Sequence, residues 1–158
     1  MAKLSKSAKR AKQALERAGF PVDVLEMPES THTAAEAAAA IGCEVSQIVK
    51  SLVFKGANSG TPLLVVASGS NRVREARIED VVGEPVGLAD AKFVREATGF
   101  SIGGVPPAGH ASPLRTLIDV DLLEHREIWA AAGTPRAVFR LTPDDLARIT
   151  GGEIVAVT

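Results

Sequence analysis

The residues best suited to chemistry lie in two places, a lysine at position 50 and a glycine- and proline-rich run over residues 98–110. That run, Thr98-Gly99-Phe100-Ser101-Ile102-Gly103-Gly104-Val105-Pro106-Pro107-Ala108-Gly109-His110, holds four glycines and two prolines in thirteen positions. Glycine lets backbone approach a ligand closely or take a positive φ, and proline removes freedom, so the combination describes a close-fitting, rigid loop. Such a loop can aim backbone amides at a carbonyl, where a preorganised donor stabilises the oxyanion of ester hydrolysis by about 3 kcal/mol. The same composition suits a plain tight turn between a helix and a strand, and composition leaves both open. Lys50 precedes the apolar run Ser51-Leu52-Val53-Phe54, from where an ammonium can reach a phosphate or a substrate oxygen. Most lysines are merely solvated, so this second candidate also stays open at the level of residue type.

Other chemistries lack their signatures. The chain has no GxxxxGK[ST], CxxC, HExxH or GxSxG pattern. Its three histidines, His32, His110 and His125, are far apart, and with the single Cys43 they offer no local metal-ligand spacing. No catalytic metal is expected.

The elements that must position these residues alternate in type. Leu4, Ala8, Ala11, Leu15 and Ala18 recur at steps of four and three, which predicts a helix ending at Gly19 and Pro21. A short strand over residues 22–27 follows, then a polar loop, Glu29-Ser30-Thr31-His32, and a helix opened by Thr33-Ala34-Ala35-Glu36 and stopped by Gly42. Lys50 stands at the start of an antiparallel hairpin whose arms, residues 51–54 and 63–67, join across Gly56-Ala57-Asn58-Ser59-Gly60. Two short helices are predicted over 75–82 and 91–98, the second capped by Asp90 and followed by Gly99. Beyond the glycine-rich loop come a strand over 116–120, a helical turn over 122–126, and a hairpin of 128–132 with 136–141. A helix opens at Thr142-Pro143 and ends at Gly151-Gly152 before a last strand over 154–157. Hairpins and helical crossovers together imply an α/β fold with a mixed sheet, and no repeat or linker divides residues 1–158, so one domain is expected.

Composition narrows the partners. With 158 residues, 46% hydrophobic and 23% charged, the chain is of a size and make-up to bury one core. Five Phe, one Trp and no Tyr make an aromatic base-stacking platform improbable. No apolar run approaches the ~20 residues that cross a bilayer, the N-terminus has no apolar secretory segment, and Cys43 has no partner, so a cytoplasmic protein without a membrane role is expected. A net charge of −1 argues against a general nucleic-acid binder, and no DNA partner is expected. Lys3, Lys6, Lys9, Arg10, Lys12 and Arg17 are nonetheless opposed only by Glu16 in the first twenty residues, and Arg72, Arg74 and Arg77 form a second cluster. Such patches can meet phosphates or be ordinary solvated faces.

Three segments, in this order and spacing, resemble the YbaK/ProX family of prolyl-tRNA synthetase-associated editing domains. They are Ile48-Val49-Lys50-Ser51-Leu52-Val53-Phe54, the loop from Ala97 through His110, and Leu117-Ile118-Asp119, and the similarity runs roughly from Ser5 to Val157. The resemblance implies a mixed sheet curled into a barrel-like body surrounded by helices. It implies that Lys50 contacts the substrate end of a tRNA and that the GxxxP loop presents backbone amides to the aminoacyl group, with Gly103 as the second catalytic position. Gly104, Val105, Pro106, Pro107 and Gly109 then belong to the substrate-binding loop. Thr31 and His32 are candidates for lining the pocket, with a helix-capping role for their loop equally open. His110 either holds the loop or touches substrate, and Asp119 is a candidate anchoring carboxylate.

The activity implied is hydrolysis of the ester joining a wrong amino acid to tRNA, assisted by water and the substrate's 2′-hydroxyl, with no cofactor. This suits the absent motifs, because a substrate-assisted reaction needs neither a catalytic triad nor a metal. Pocket discrimination of about 1–3 kcal/mol per methyl makes such a second sieve useful. The expected function is therefore a free-standing trans-editing deacylase for misacylated tRNA, with tRNA-Pro or a related tRNA as carrier. The amino acid removed, among alanine, serine, threonine and cysteine, is left open. A non-catalytic module binding aminoacyl-tRNA or prolyl-tRNA synthetase is the alternative, and a small-molecule hydrolase unrelated to tRNA is a third.

Overall fold

The structure, a computed structural model, describes residues 4–28 and 33–158. Each helix is bounded by the residues that local chemistry favours. Ser5 caps α1 (Lys6–Arg17), its hydroxyl accepting from the Ala8 amide at 3.3 Å, and Ala8, Ala11 and Leu15 form its buried stripe. Strand β1 (Val24–Glu26) follows. Thr33 caps α2 (Ala34–Ile41) by accepting from the Glu36 amide at 3.0 Å, and Gly42 closes it in the left-handed conformation at φ 85°. A 3-10 turn, Val45–Gln47, leads into the hairpin of β2 (Val49–Gly56) and β3 (Pro62–Ser68).

The second half continues α3 (Glu75–Val82), β4 (Val86–Leu88), α4 (Ala91–Thr98), β5 (Arg115–Asp119), a 3-10 turn at Val120–Glu124, β6 (Ile128–Ala131), β7 (Ala137–Leu141), α5 (Pro143–Thr150) and β8 (Glu153–Val155). The predicted bounds of α3 and α4 hold to the residue, with Asp90 accepting from the Phe93 amide at 2.8 Å. Strand β4 has no counterpart in the sequence-based prediction.

Five strands form a mixed sheet in the order β4-β2-β3-β5-β8, antiparallel around β2 and parallel from β3 to β8. Central β3 is buried from Leu63 to Ser68, as expected of a strand covered on both faces. Strands β1, β7 and β6 form a second, antiparallel sheet. The two meet at one parallel bridge, Ile48 with Trp129. The mixed α/β fold is as expected, whereas closure of the strands into a barrel-like body is not seen: among the described residues they make two open sheets joined at this bridge.

The larger core lies between the sheets, where Val49, Val53, Leu64, Val66 and Ile118 face Ile128, Ala130 and Phe139, with α1 contributing Leu15 and α5 Leu146. On the other face of the larger sheet, Phe54, Val65, Ala67 and Leu117 pack on Ile78 of α3. A small third cluster, Ala37, Ala38 and Ile48 with Trp129, seats α2 over the bridge.

Candidate functional site

Just past the bridge the sheets diverge and leave a cleft of about 580 Å³. Its walls are the start of α2, the Val49–Leu52 stretch of β2, the Trp129–Ala131 stretch of β6, and the loop residues Ile102, Gly103 and Val105. The edge of β2 that faces it is unpaired for a topological reason. Gly69 donates to the Ile48 carbonyl at 2.6 Å and Gly56 to the Thr61 carbonyl at 3.0 Å, so antiparallel alternation turns the peptides of Val49, Ser51 and Val53 away from β3. Val53 accepts there from Ala89 at 3.0 Å, which leaves the Ser51 peptide beside the cleft. The Ser51 hydroxyl is buried with no hydrogen-bond partner among the described residues.

Lys50 lines the cleft and is half-buried, with Nζ donating to the Asn71 carbonyl at 2.5 Å. Asn71 is itself fixed, its Nδ2 donating to Asp119 Oδ2 and Asp121 Oδ2, both at 2.8 Å. Asp119 is 1% exposed and also accepts from the Ser68 amide at 3.0 Å and the Asp121 amide at 2.9 Å. Burial lowers the Lys50 pKa from the usual lysine value, and the charge of Asp119 acts against that lowering. The result is a positioned ammonium, less basic than a solvated lysine, on a residue that lines a mostly apolar cleft.

The glycine-rich loop contributes Ile102, Gly103 and Val105 to the lining. Gly103 sits at φ 88°, where a side chain is strained, and an added Cβ would meet Pro135 Cγ at 3.3 Å. At Gly104 a Cβ would stand 2.6 Å from the Gly133 carbonyl, so the loop can lie this close to the β6–β7 turn only without a side chain. The Gly104 amide donates to Ser101 at 3.0 Å and its carbonyl accepts from Gly133 at 2.8 Å. Pro106 and Pro107 carry no N–H. The amides of Gly103 and Val105, both in the cleft wall, have no hydrogen-bond partner among the described residues. Two unpartnered donors one residue apart can stabilise negative charge on a carbonyl oxygen.

Of the residues singled out from sequence, Lys50, Gly103 and Val105 therefore come together at the cleft. Gly104, Pro106, Pro107, Gly109 and His110 are not part of its lining. Gly109 packs where an added Cβ would be 2.8 Å from Ala14 Cβ of α1. His110 hydrogen-bonds through Nε2 to the Pro106 carbonyl at 2.7 Å, so Nε2 carries the proton, and burial lowers its pKa. Thr31 and His32 lie outside the described residues, while the adjacent Thr33 and Ala34 line the cleft. Asn71, Ser51, Ile102 and Trp129 were missed as site residues. Asn71 had only its place between a strand and a helix to signal it. Among the described residues no three His, Cys, Asp or Glu side chains converge to hold a metal, and no helix is long and apolar enough to cross a membrane.

Comparison with known proteins agrees with this architecture. The chain is 31% identical to the uncharacterised protein YwhH of Bacillus subtilis (strain 168) over 132 residues, covering 84% of this chain and 83% of that one. It is 32% identical over 95 residues to a proline–tRNA ligase of Limosilactobacillus fermentum, a match covering 58% of this chain and 17% of that enzyme. A solved structure of a candidate trans-editing enzyme for prolyl tRNA synthetase superposes with a TM-score of 0.94 at 50% identity, covering 99% of each chain. The sequence model of the aminoacyl-tRNA editing domain matches residues 28–149, and with the resemblance to YbaK/ProX proteins upheld, the chain belongs to the aminoacyl-tRNA editing domain family.

Proposed function

We propose that this protein is a trans-editing deacylase, a single domain over residues 1–158 that hydrolyses the ester of tRNA carrying a wrong small amino acid, with tRNA-Pro or a related tRNA as carrier. The observation that carries this reading is that Lys50, Gly103 and Val105 line one cleft, the Nζ of the first held by the Asn71 carbonyl and the amides of the other two without a hydrogen-bond partner among the described residues. In the proposed reaction the ester carbonyl oxygen lies against the two amides. Water adds to the carbonyl carbon, and negative charge builds on that oxygen as the two donors stabilise it. The bond to the ribose oxygen then breaks, the ribose leaves as its hydroxyl, and the neighbouring 2′-hydroxyl relays the proton. Lys50 holds the terminal nucleotide so that the carbonyl meets the loop, a contribution of orientation rather than proton transfer.

The apolar lining, with Ala34, Ala37, Ala130 and Val138, fits a small side chain and leaves discrimination to volume. The 50% identity to a candidate prolyl editing enzyme supports the choice of carrier. The test is a panel of tRNA-Pro charged with alanine, serine, threonine, cysteine or proline. Accelerated release of at least one wrong amino acid, with proline retained, supports the reading. Tight binding without release favours a non-catalytic module.

A further inference from the structure

Next to the cleft, the segment joining β3 to α3 carries an arrangement that the hydrolytic step does not use. Gly69 lines the cleft, and residues 70–76 line an adjoining open hollow of about 750 Å³. The segment is held rigidly: the Asn71 amide donates to Ser68 at 3.0 Å, the Arg74 amide to Val157 at 2.8 Å, and the Asn71 side chain to Asp119 and Asp121. Val73 packs against the core on the α3 side of the sheet, so Arg72 and Arg74, on either side of it, stand exposed over the hollow.

Neither guanidinium has a hydrogen bond or ion pair among the described residues, whereas nearby Arg77 donates to the Thr158 carbonyl at 3.1 Å. Asp119 and Asp121 are both turned onto Asn71, and Glu75 is the only acidic side chain among the described residues that line the hollow. The carbonyl that holds Lys50 belongs to Asn71, one residue before Arg72 and three before Arg74, so the three cations lie within on the order of 10 Å of chain.

We propose that Arg72 and Arg74 form an anion site that grips the phosphates of the single-stranded 3′ end of the RNA, leading its terminal nucleotide past Asn71 to Lys50. This rests on the deacylase reading for the identity of the polyanion. Guanidinium groups suit the role because they stay charged and bind phosphate oxygens in a bidentate manner. The competing surface is α1, where Lys6, Lys9 and Arg10 are exposed and Arg10 stacks on Phe100 at 4.8 Å.

The experiment measures binding of a fluorescent acceptor-stem hairpin ending in a single-stranded 3′ tail, by anisotropy across a salt series. The double variant Arg72→Gln/Arg74→Gln should bind at least about tenfold more weakly at low salt. Its slope of log K against log salt should be shallower by about 1.4, because each phosphate left without its cation takes roughly 0.7 from the slope. Arg72→Glu/Arg74→Glu should weaken binding further, and Lys6→Gln/Lys9→Gln should stay within about twofold of wild type. An unchanged slope in the Arg72/Arg74 variant, an equal weakening in the α1 variant, or no binding by wild type overturns the proposal. A phosphate-free aminoacyl ester of adenosine separates the two ideas, because the Arg72→Gln/Arg74→Gln variant should cleave it at the wild-type rate. Binding with the stated slope but no release from any mischarged tRNA would overturn the deacylase reading and leave the anion site standing.

Discussion

Replacing Asp119 tests whether the site is built from beneath. Its carboxylate is 1% exposed and accepts from the Ser68 amide, Asn71 Nδ2 and the Asp121 amide at 2.8–3.0 Å. In Asp119→Ala, Asn71 keeps its bond to Asp121, and the half-buried Asp121 amide can turn to water. The amide of Ser68, a residue 1% exposed, has no such substitute. An unsatisfied buried donor costs about 1–3 kcal/mol, and loss of the charged acceptor adds to it, so about 2–4 kcal/mol is expected. At roughly 2–4 °C per kcal/mol for a domain of this size, Tm should fall by about 4–16 °C. Asp119→Asn, which keeps one acceptor oxygen, should lose less. Function should change separately: with the carboxylate gone, nothing opposes the effect of burial on Lys50, whose pKa then falls further. The alkaline limb of deacylation should move to lower pH in both variants. Calorimetry and a pH profile of kcat/KM read the two effects. A Tm within about 2 °C of wild type, or an alkaline limb that does not move, would refute the reasoning.

Two further outcomes follow from the loop. Gly104→Ala places a methyl against the Gly133 carbonyl, so the loop must shift; a stability loss of about 1–3 kcal/mol by denaturant titration and a fall in kcat of tenfold or more are expected. Wild-type kcat in a correctly folded Gly104→Ala would remove the two amides from the mechanism. His110 has a folded pKa below its ordinary 6.5 because burial disfavours the imidazolium. The unfolded chain therefore binds the proton first on acidification, so the stability from neutral His110 is full above pH 6.5 and is lost as pH falls from there through the folded value. His110→Gln, which can still donate to Pro106, should flatten Tm between pH 7 and 5, and an unchanged slope would assign the acid sensitivity elsewhere.

Much of the local structure was legible because short-range chemistry decides it. Thr33 with Gly42, and Asp90 with Gly99, bracket helices through cap bonds and left-handed glycines that need no knowledge of the fold. Strand β4 was not legible, since Val86-Gly87-Leu88 is short, glycine-centred and becomes a strand only by pairing with Phe54, Lys55 and Gly56, some thirty residues away. The way the two sheets join was not legible for a similar reason: nothing in residues 128–131 says that Trp129 bridges to Ile48.

At the site, the types of Lys50 and Gly103 pointed to the chemistry, but the division of the loop did not. The Gly104 amide turns to Ser101 while its neighbours' amides have no partner among the described residues, and that alternation is a property of backbone dihedrals rather than of residue identity. Asn71 stands in a polar stretch, Ser70-Asn71-Arg72, and its bonds to Lys50, Asp119 and Asp121 span 21 to 50 positions, beyond what local pattern can register.

The most direct measurement is single-turnover release of the amino acid from mischarged tRNA-Pro by wild type and by Lys50→Ala, with correctly charged tRNA-Pro in parallel. Wild type should release at least one of alanine, serine, threonine or cysteine well above the uncatalysed rate and spare proline. Lys50→Ala should lose 100-fold or more in kcat/KM, about 2.7 kcal/mol of transition-state positioning, while remaining folded. Release from no mischarged tRNA by wild type, or an undiminished rate in Lys50→Ala, would contradict the assignment of this cleft as the catalytic site.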